Sequence, residues 1–198
     1  MRIGRVKCNV ERYGIRLTDR DIPSGGISCG IYEECIFDGC DLTGADLSDS
    51  RFYGCEFVEC NLCNTLFDRC RLSEVSFKNC KITGVRFDAV DALIVTIGFS
   101  SSTLDVCDFT GMNLKGISIK DSRVRECFFE DADLSESVLT DSDFEKTRFF
   151  HTDMQKSDLR GSFNLDIDPT QNNVKGACFS YPGVLGLLAP FEVRIYGK

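Results

Sequence analysis

The chain is 198 residues long, 42% hydrophobic and 27% charged, with a formal net charge of -8. This suits a single domain with a sizeable core, and the negative charge disfavours nucleic acid or an anionic membrane and favours a basic partner. No apolar run approaches the ~18 residues of a membrane span, and the opening MRIGRVKCNVERYG lacks the apolar stretch of a secretory signal, so a cytoplasmic location is expected.

Residues 1–34 read as a lead-in with weak five-residue units centred on Ile22, Ile27 and Tyr32. Beyond them the pattern sharpens. In FDGCDLTGADLSDSRFYGCEF the large apolar residues are Phe37, Leu42, Leu47, Phe52 and Phe57, and two positions before each stands a small one: Cys35, Cys40, Ala45, Ser50 and Cys55. Neither the helical period of 3.6 nor the strand period of 2 gives this spacing. Both series run on to Phe87 and resume from Leu104 to Leu159, and no position in either is charged. Both therefore point inward, where an unpaired charge is costly, and the other three positions of each unit face out.

Such a chain predicts a solenoid of short extended segments whose coils stack about 4.8 Å apart. Gly39, Gly44, Gly54, Gly84, Gly111, Gly116 and Gly161 all fall two residues after a large one, where a turn wants positive φ. The units ADLSD, CDFTG, ADLSE, SDFEK and SDLRG resemble those of the pentapeptide-repeat proteins, over roughly residues 35 to 162 with a return at Val174 and Phe179. That resemblance implies an all-β fold, a right-handed quadrilateral β-helix with four pentads per coil, so that residues twenty apart stack. Phe37, Phe57 and Phe77, and likewise Phe109, Phe129 and Phe149, should then form core ladders. Six or seven coils would make a rod of about 30 Å, against about 34 Å for one turn of B-DNA.

The same stacking sets Cys35 over Cys55, Cys40 over Cys60 and Cys80, and Cys107 over Cys127, all as small buried hydrophobes. With twelve cysteines in a reducing compartment, a disulfide framework is not expected. Nor is a zinc site, because His151 is the only histidine and CNLC, from Cys60 to Cys63, puts one thiol inside and the other outside.

Between Phe87 and Leu104 the register slips by two residues; a bulge or short loop at 88–103, joining two stacks, is expected, with Ile94, Ile97 and Phe99 readable in either phase. Residues 163–198 form a last irregular coil and a helix-plus-strand module. Ser180 would cap a short helix with Pro182 in its first turn and Pro190 at its stop, weakened by Gly183 and Gly186 and therefore dependent on packing. Val184, Leu185, Leu187, Leu188, Phe191, Val193 and Ile195 are more apolar surface than a plug needs, and are the expected interface of a homodimer.

No nucleophile–histidine pair, phosphate loop or metal triad is legible, so neither an enzyme nor a cofactor is expected. Acids outnumber bases 10 to 6 over residues 35 to 97 and 13 to 8 over 104 to 161, while the remainder is nearly balanced at 8 to 9. The cysteine-rich early coils, the break, the segment IDPTQNNVKGACFS and the apolar tail are similar to the branch comprising the Qnr quinolone-protection proteins and the immunity proteins against microcin B17 and albicidin. The resemblance implies a DNA mimic for DNA gyrase or topoisomerase IV, with Asp108, Glu130, Asp131, Asp133, Glu136, Asp141, Asp143 and Glu145 as the acidic partner-binding surface. The alternative is a non-enzymatic scaffold for an unrelated cytoplasmic partner, favoured by the bases that interrupt these acids.

Overall fold

A computed structural model describes residues 10–23, 25–91, 93, 95–194 and 196. The backbone forms a parallel β-solenoid, one continuous stack of coils with four faces. The second face carries a nine-stranded ladder: Arg16–Leu17, Ile36–Asp38, Glu56–Val58, Val75–Lys78, Ile97–Ser100, Ser118–Lys120, Val138–Thr140, Asp158–Leu159 and Cys178–Phe179. The first face pairs Val10–Tyr13, Gly30–Glu33, Arg51–Tyr53 and Arg71–Ser73, and the third Lys81–Thr83, Thr103–Asp105 and Arg123–Arg125. The fourth is joined by single bridges, such as Arg86 to Asp108 to Phe128 to Arg148. Stacking begins at Val10 and reaches Phe179, so the rod is longer than expected: eight steps at about 4.8 Å give about 38 Å.

Both inward series are buried from Cys35 to Leu159. Phe37, Phe57, Phe77 and Phe99 stack face to face at 4.5, 5.0 and 5.1 Å between centroids. A second column runs through Phe67, Phe87, Phe109, Phe129 and Phe149 at 5.7, 4.8, 4.7 and 5.6 Å. Near-parallel offset rings follow from the coil spacing, and each such pair adds about 0.5–1.5 kcal/mol beyond burial.

The small slot does more than save space. Thr65 Oγ1 donates to the Leu42 carbonyl at 2.8 Å, Thr147 Oγ1 to Val124 at 2.7 Å and Thr152 Oγ1 to Phe129 at 2.8 Å, each 23 residues back. The thiols of Cys55, Cys60, Cys70 and Cys80 donate to Tyr32, Phe37, Leu47 and Phe57 in the same way. Stacking alone accounts for the size of these cysteines; the turn carbonyls account for their chemistry, because a buried carbonyl without a donor is costly. Burial pushes the Cys55 thiol up to about 11 and Cys70 up to about 12, which keeps both protonated as donors. Cys35, Cys40, Cys55, Cys60, Cys63, Cys70, Cys80, Cys107, Cys127 and Cys178 are free thiols.

At the corners other than the 3-10 turns at Asp19–Asp21 and Phe87–Ala89, the residue two after the central one adopts positive φ, in Gly39 at 62° and Gly84 at 66° but also in Asn64, Arg69 and Glu126 at 54°, 55° and 51°. Its N–H points along the stack, as from Gly39 to the Val58 carbonyl at 2.9 Å. The glycines are therefore the visible part of a rule that every regular corner obeys. Among the described residues Val106, at φ 54°, is the one β-branched residue so placed, and its branched Cβ is crowded there.

The break does not divide the stack. Asp91 still lies twenty residues above Arg71, with Arg71 Nε donating to its carboxylate at 2.8 Å, whereas Val75 pairs with Ile97 and Phe77 with Phe99, at a spacing of 22. Two extra residues thus lie between Asp91 and Thr96, a narrower interval than 88–103. Ile97 takes the slot and Phe99 the centre; Ile94 lies outside the described residues.

The C-terminal module differs from expectation. A 3-10 helix spans Gly183–Phe191 with Pro190 inside it, and its first residue follows Pro182, which makes no side-chain cap. The Ser180 hydroxyl instead accepts from the Gly161 N–H at 2.8 Å. Gly183 and Gly186 allow close approach: a Cβ on Gly186 would stand 1.7 Å from the Leu165 carbonyl oxygen. Val193 is in no strand, and Ile195 lies outside the described residues.

Relieving the two local misfits should stabilise the protein. Val106→Asn removes the branch at Cβ in favour of a residue that tolerates positive φ, and Ser137→Ala removes a buried hydroxyl that has no partner. Each is expected to raise stability by about 1 kcal/mol in denaturant melts; a loss of stability in either would contradict the corner or slot assignment.

Candidate partner-binding surface

Outward side chains come from three positions of each pentad, and their neighbours are set by stacking. The acid just before a central residue often has a local task. Asp46, Asp108, Asp133, Asp153 and Asp168 each accept the N–H two residues on, at 2.8 to 3.0 Å. This Asx turn explains aspartate in units such as ADLSD without any partner.

Ion pairs then link coils. Glu130 lies 3.9 Å from Arg148, Glu136 3.2 Å from Lys115 and Glu145 3.3 Å from Arg125, and the Asp131 carboxylate lies 3.4 Å from the His151 ring. Asp49 is held below the usual carboxylate range by the Arg69 guanidinium, whose nitrogens donate to it at 2.8 and 2.6 Å. Exposed pairs of this kind are worth about 0–1 kcal/mol each.

The eight acids singled out in the sequence do not share one surface. They are close in sequence, so they wrap around the rod: Asp108, Glu130 and Asp131 on the fourth face, Asp133 and Glu136 on the first, Asp141 on the second, Asp143 and Glu145 on the third. Asp143 is also not solvated, as its outward position implied, since its side chain is only 10% exposed. Arg125 donates to Asp143 Oδ2 at 2.9 Å and Asn164 to Oδ1 at 2.7 Å. Burial pushes this carboxyl up, but the bonds from Asn164 and Arg125 together outweigh it and hold the group below its ordinary range.

Stacking reveals a surface that runs along the rod instead. On the fourth face and the corner that follows it stand eight acids, Asp46, Asp49, Asp68, Asp88, Asp108, Glu130, Asp131 and Asp168, against three bases, Arg69, Arg86 and Arg148. The opposite, second face holds seven acids and four bases: Asp19, Asp38, Glu56, Glu59, Asp121, Asp141 and Asp158 with Arg16, Lys78, Lys120 and Arg160. Asp46, Asp68, Asp88, Asp108 and Glu130 put an acid on the fourth face in five consecutive coils. Sequence reading missed Asp46, Asp68 and Asp88 because they are about twenty residues apart; sorting outward residues by position within a twenty-residue coil would have found them.

At the C-terminal end the apolar set divides. Leu187 packs on the core and Leu185 is half-buried, while Val184, Leu188, Phe191 and Val193 are exposed together with Tyr181. Among the described residues no group of three or more His, Cys, Asp or Glu side chains could hold a metal ion, and no helix is long and apolar enough to cross a membrane.

Comparison with known proteins gives two family matches, a pentapeptide repeat region over residues 31–106 and pentapeptide repeats over residues 127–163. Among solved structures the chain is similar to trypsin-treated QnrB1, a plasmid-mediated fluoroquinolone resistance protein, at 17% identity and a TM-score of 0.53, covering 94% of this chain and 98% of that one. It is also similar to HetL, a pentapeptide repeat protein involved in heterocyst differentiation regulation from the cyanobacterium Nostoc, at 13% identity and a TM-score of 0.43, covering 87% of each chain. No curated protein matches significantly.

The Arg125–Asp143 contact can be tested by pH. A carboxyl whose folded pKa is depressed adds stability above its unfolded pKa of about 3.9, and loses it as pH falls through the folded value. Arg125→Ala should therefore lower stability at neutral pH, by less than loss of a fully buried pair because Arg125 is 39% exposed, and the loss should vanish in acid. A penalty that does not shrink as pH falls through the folded pKa of Asp143 would contradict this assignment.

Proposed function

The chain belongs to the pentapeptide-repeat family, and from that premise we propose that it acts as a non-enzymatic acidic rod seated in the DNA-binding groove of a type II topoisomerase, DNA gyrase or topoisomerase IV. The observation that carries this reading is the acid run on the fourth face, Asp46, Asp68, Asp88, Asp108 and Glu130, with an excess of eight acids over three bases around it. A basic groove that accepts duplex DNA offers the complementary field. The rod, at about 38 Å, is comparable with one turn of B-DNA at about 34 Å. Bound there, it would displace DNA or release a poisoned cleavage complex.

The scaffold reading keeps one observation in its favour: most of the acids named in the sequence are met by a base on a neighbouring coil, which dilutes the field. For the C-terminal end we propose pairing with a second copy through Val184, Leu188, Phe191 and Val193, the exposed members of the set. A monomer mass in solution at micromolar concentration would rule out that pairing.

A supercoiling assay with purified gyrase tests the main reading, with the protein titrated alone and then beside a fluoroquinolone, microcin B17 or albicidin. The role described for QnrB1, fluoroquinolone resistance, makes the quinolone the first agent to try. Inhibition that weakens with added salt, or rescue of the poisoned enzyme, is expected. The absence of binding, inhibition and rescue at micromolar concentration would leave the scaffold reading.

A further inference from the structure

The fourth face departs from polar outward positions at Leu66 and, further along the rod, at a pair of aromatic residues on adjacent coils. Phe128 stands in the column otherwise filled by Asp46, Leu66, Arg86, Asp108 and Arg148, and Phe150 in the column of Asp68, Asp88, Thr110 and Glu130. The two lie on adjacent coils, because Phe128 pairs with Arg148. Arg148 Cζ sits 5.5 Å over the Phe128 ring, with its side chain 69% exposed. Phe150 is 45% exposed and lies beside His151, 3.9 Å between centroids. Neither the corner geometry nor the inward ladders require an aromatic residue at these positions, since the same columns hold aspartate and threonine one coil earlier.

An exposed aromatic ring, Phe150, next to a half-buried one, Phe128, that carries an arginine over its face is the composition of an interface anchor. Charge decides what it can anchor. Asp108, Glu130 and Asp131 border the cluster, so nucleic acid and an anionic membrane are repelled, and a second copy docking through the same face would meet like charge. We infer that Phe128, Arg148 and Phe150 form the anchoring contact for a protein partner that carries an apolar side chain ringed by lysine or arginine. The apolar group packs between the two rings, and the cationic groups meet Glu130, Asp131 and the ring faces. The contact would add a salt-insensitive part to the salt-sensitive attraction of the acid run.

For its probe this inference rests on the topoisomerase reading. Binding of purified gyrase would be measured over a salt series for the wild type, Phe150→Ala, Phe150→Tyr and Asp108→Asn. Phe150→Ala should weaken binding by about tenfold or more with the salt slope unchanged, Phe150→Tyr should restore it, and thermal melting should confirm that both remain folded. If Phe150→Ala stays within about twofold of the wild type while Asp108→Asn weakens binding, the anchor is wrong and the topoisomerase reading stands. Equal weakening by Phe150→Tyr also overturns the anchor. If the wild type does not bind gyrase, both fail.

Discussion

Everything in this molecule depends on the parallel pairing of each coil with the one twenty residues before it, at a spacing of about 4.8 Å. Flat stacking at that distance leaves room inside for one large and one small residue per face. It also requires the chain to turn sharply four times per coil while still pointing N–H and C=O groups along the stack. Positive φ at every regular corner and hydrogen-bonding side chains in the small slot are the two local solutions. Val106 and Ser137 show what happens when a residue fits one of these places poorly: the fold persists because its neighbours determine it.

The same spacing governs the surface. Side chains twenty residues apart become neighbours, so ion pairs form at separations of 18 to 22, as in Arg125 with Asp143, Arg69 with Asp49 and Lys78 with Glu56. Acids adjacent in sequence scatter around the rod instead of gathering on it. A partner that lies along the solenoid therefore senses stacked coils, and among the described residues the fourth face places an acid in five consecutive coils, shared between two adjacent columns, with Phe128 and Phe150 toward one end.

The inward half of the structure was legible in the sequence because burial leaves a one-dimensional trace. Uncharged positions at a fixed period identify the core without ambiguity, and Phe37, Phe57 and Phe77 stack as that period requires. Phe109, Phe129 and Phe149 do the same. The hydrogen-bonding duty of the cysteines was hidden, because a thiol in a small slot looks the same whether or not a carbonyl faces it. Asp143 looked solvated for a related reason: its burial depends on Arg125 and Asn164, which lie 18 and 21 residues away. The C-terminal helix was placed correctly along the chain, but its glycines serve close contact with Leu165, which local propensity does not reveal.

The central claim is that partner binding resides on one face, and face-specific charge removal tests it most directly. Asparagine is the right replacement, since its side-chain oxygen can keep the Asx turns made by Asp46 and Asp108. Gyrase affinity would be compared for a triple variant of the fourth face, Asp46→Asn, Asp68→Asn and Asp108→Asn, and one of the opposite face, Asp38→Asn, Asp121→Asn and Asp141→Asn. The account predicts a marked loss of affinity and a shallower salt dependence for the first triple alone. Equal losses in the two, or none in the first, would contradict it.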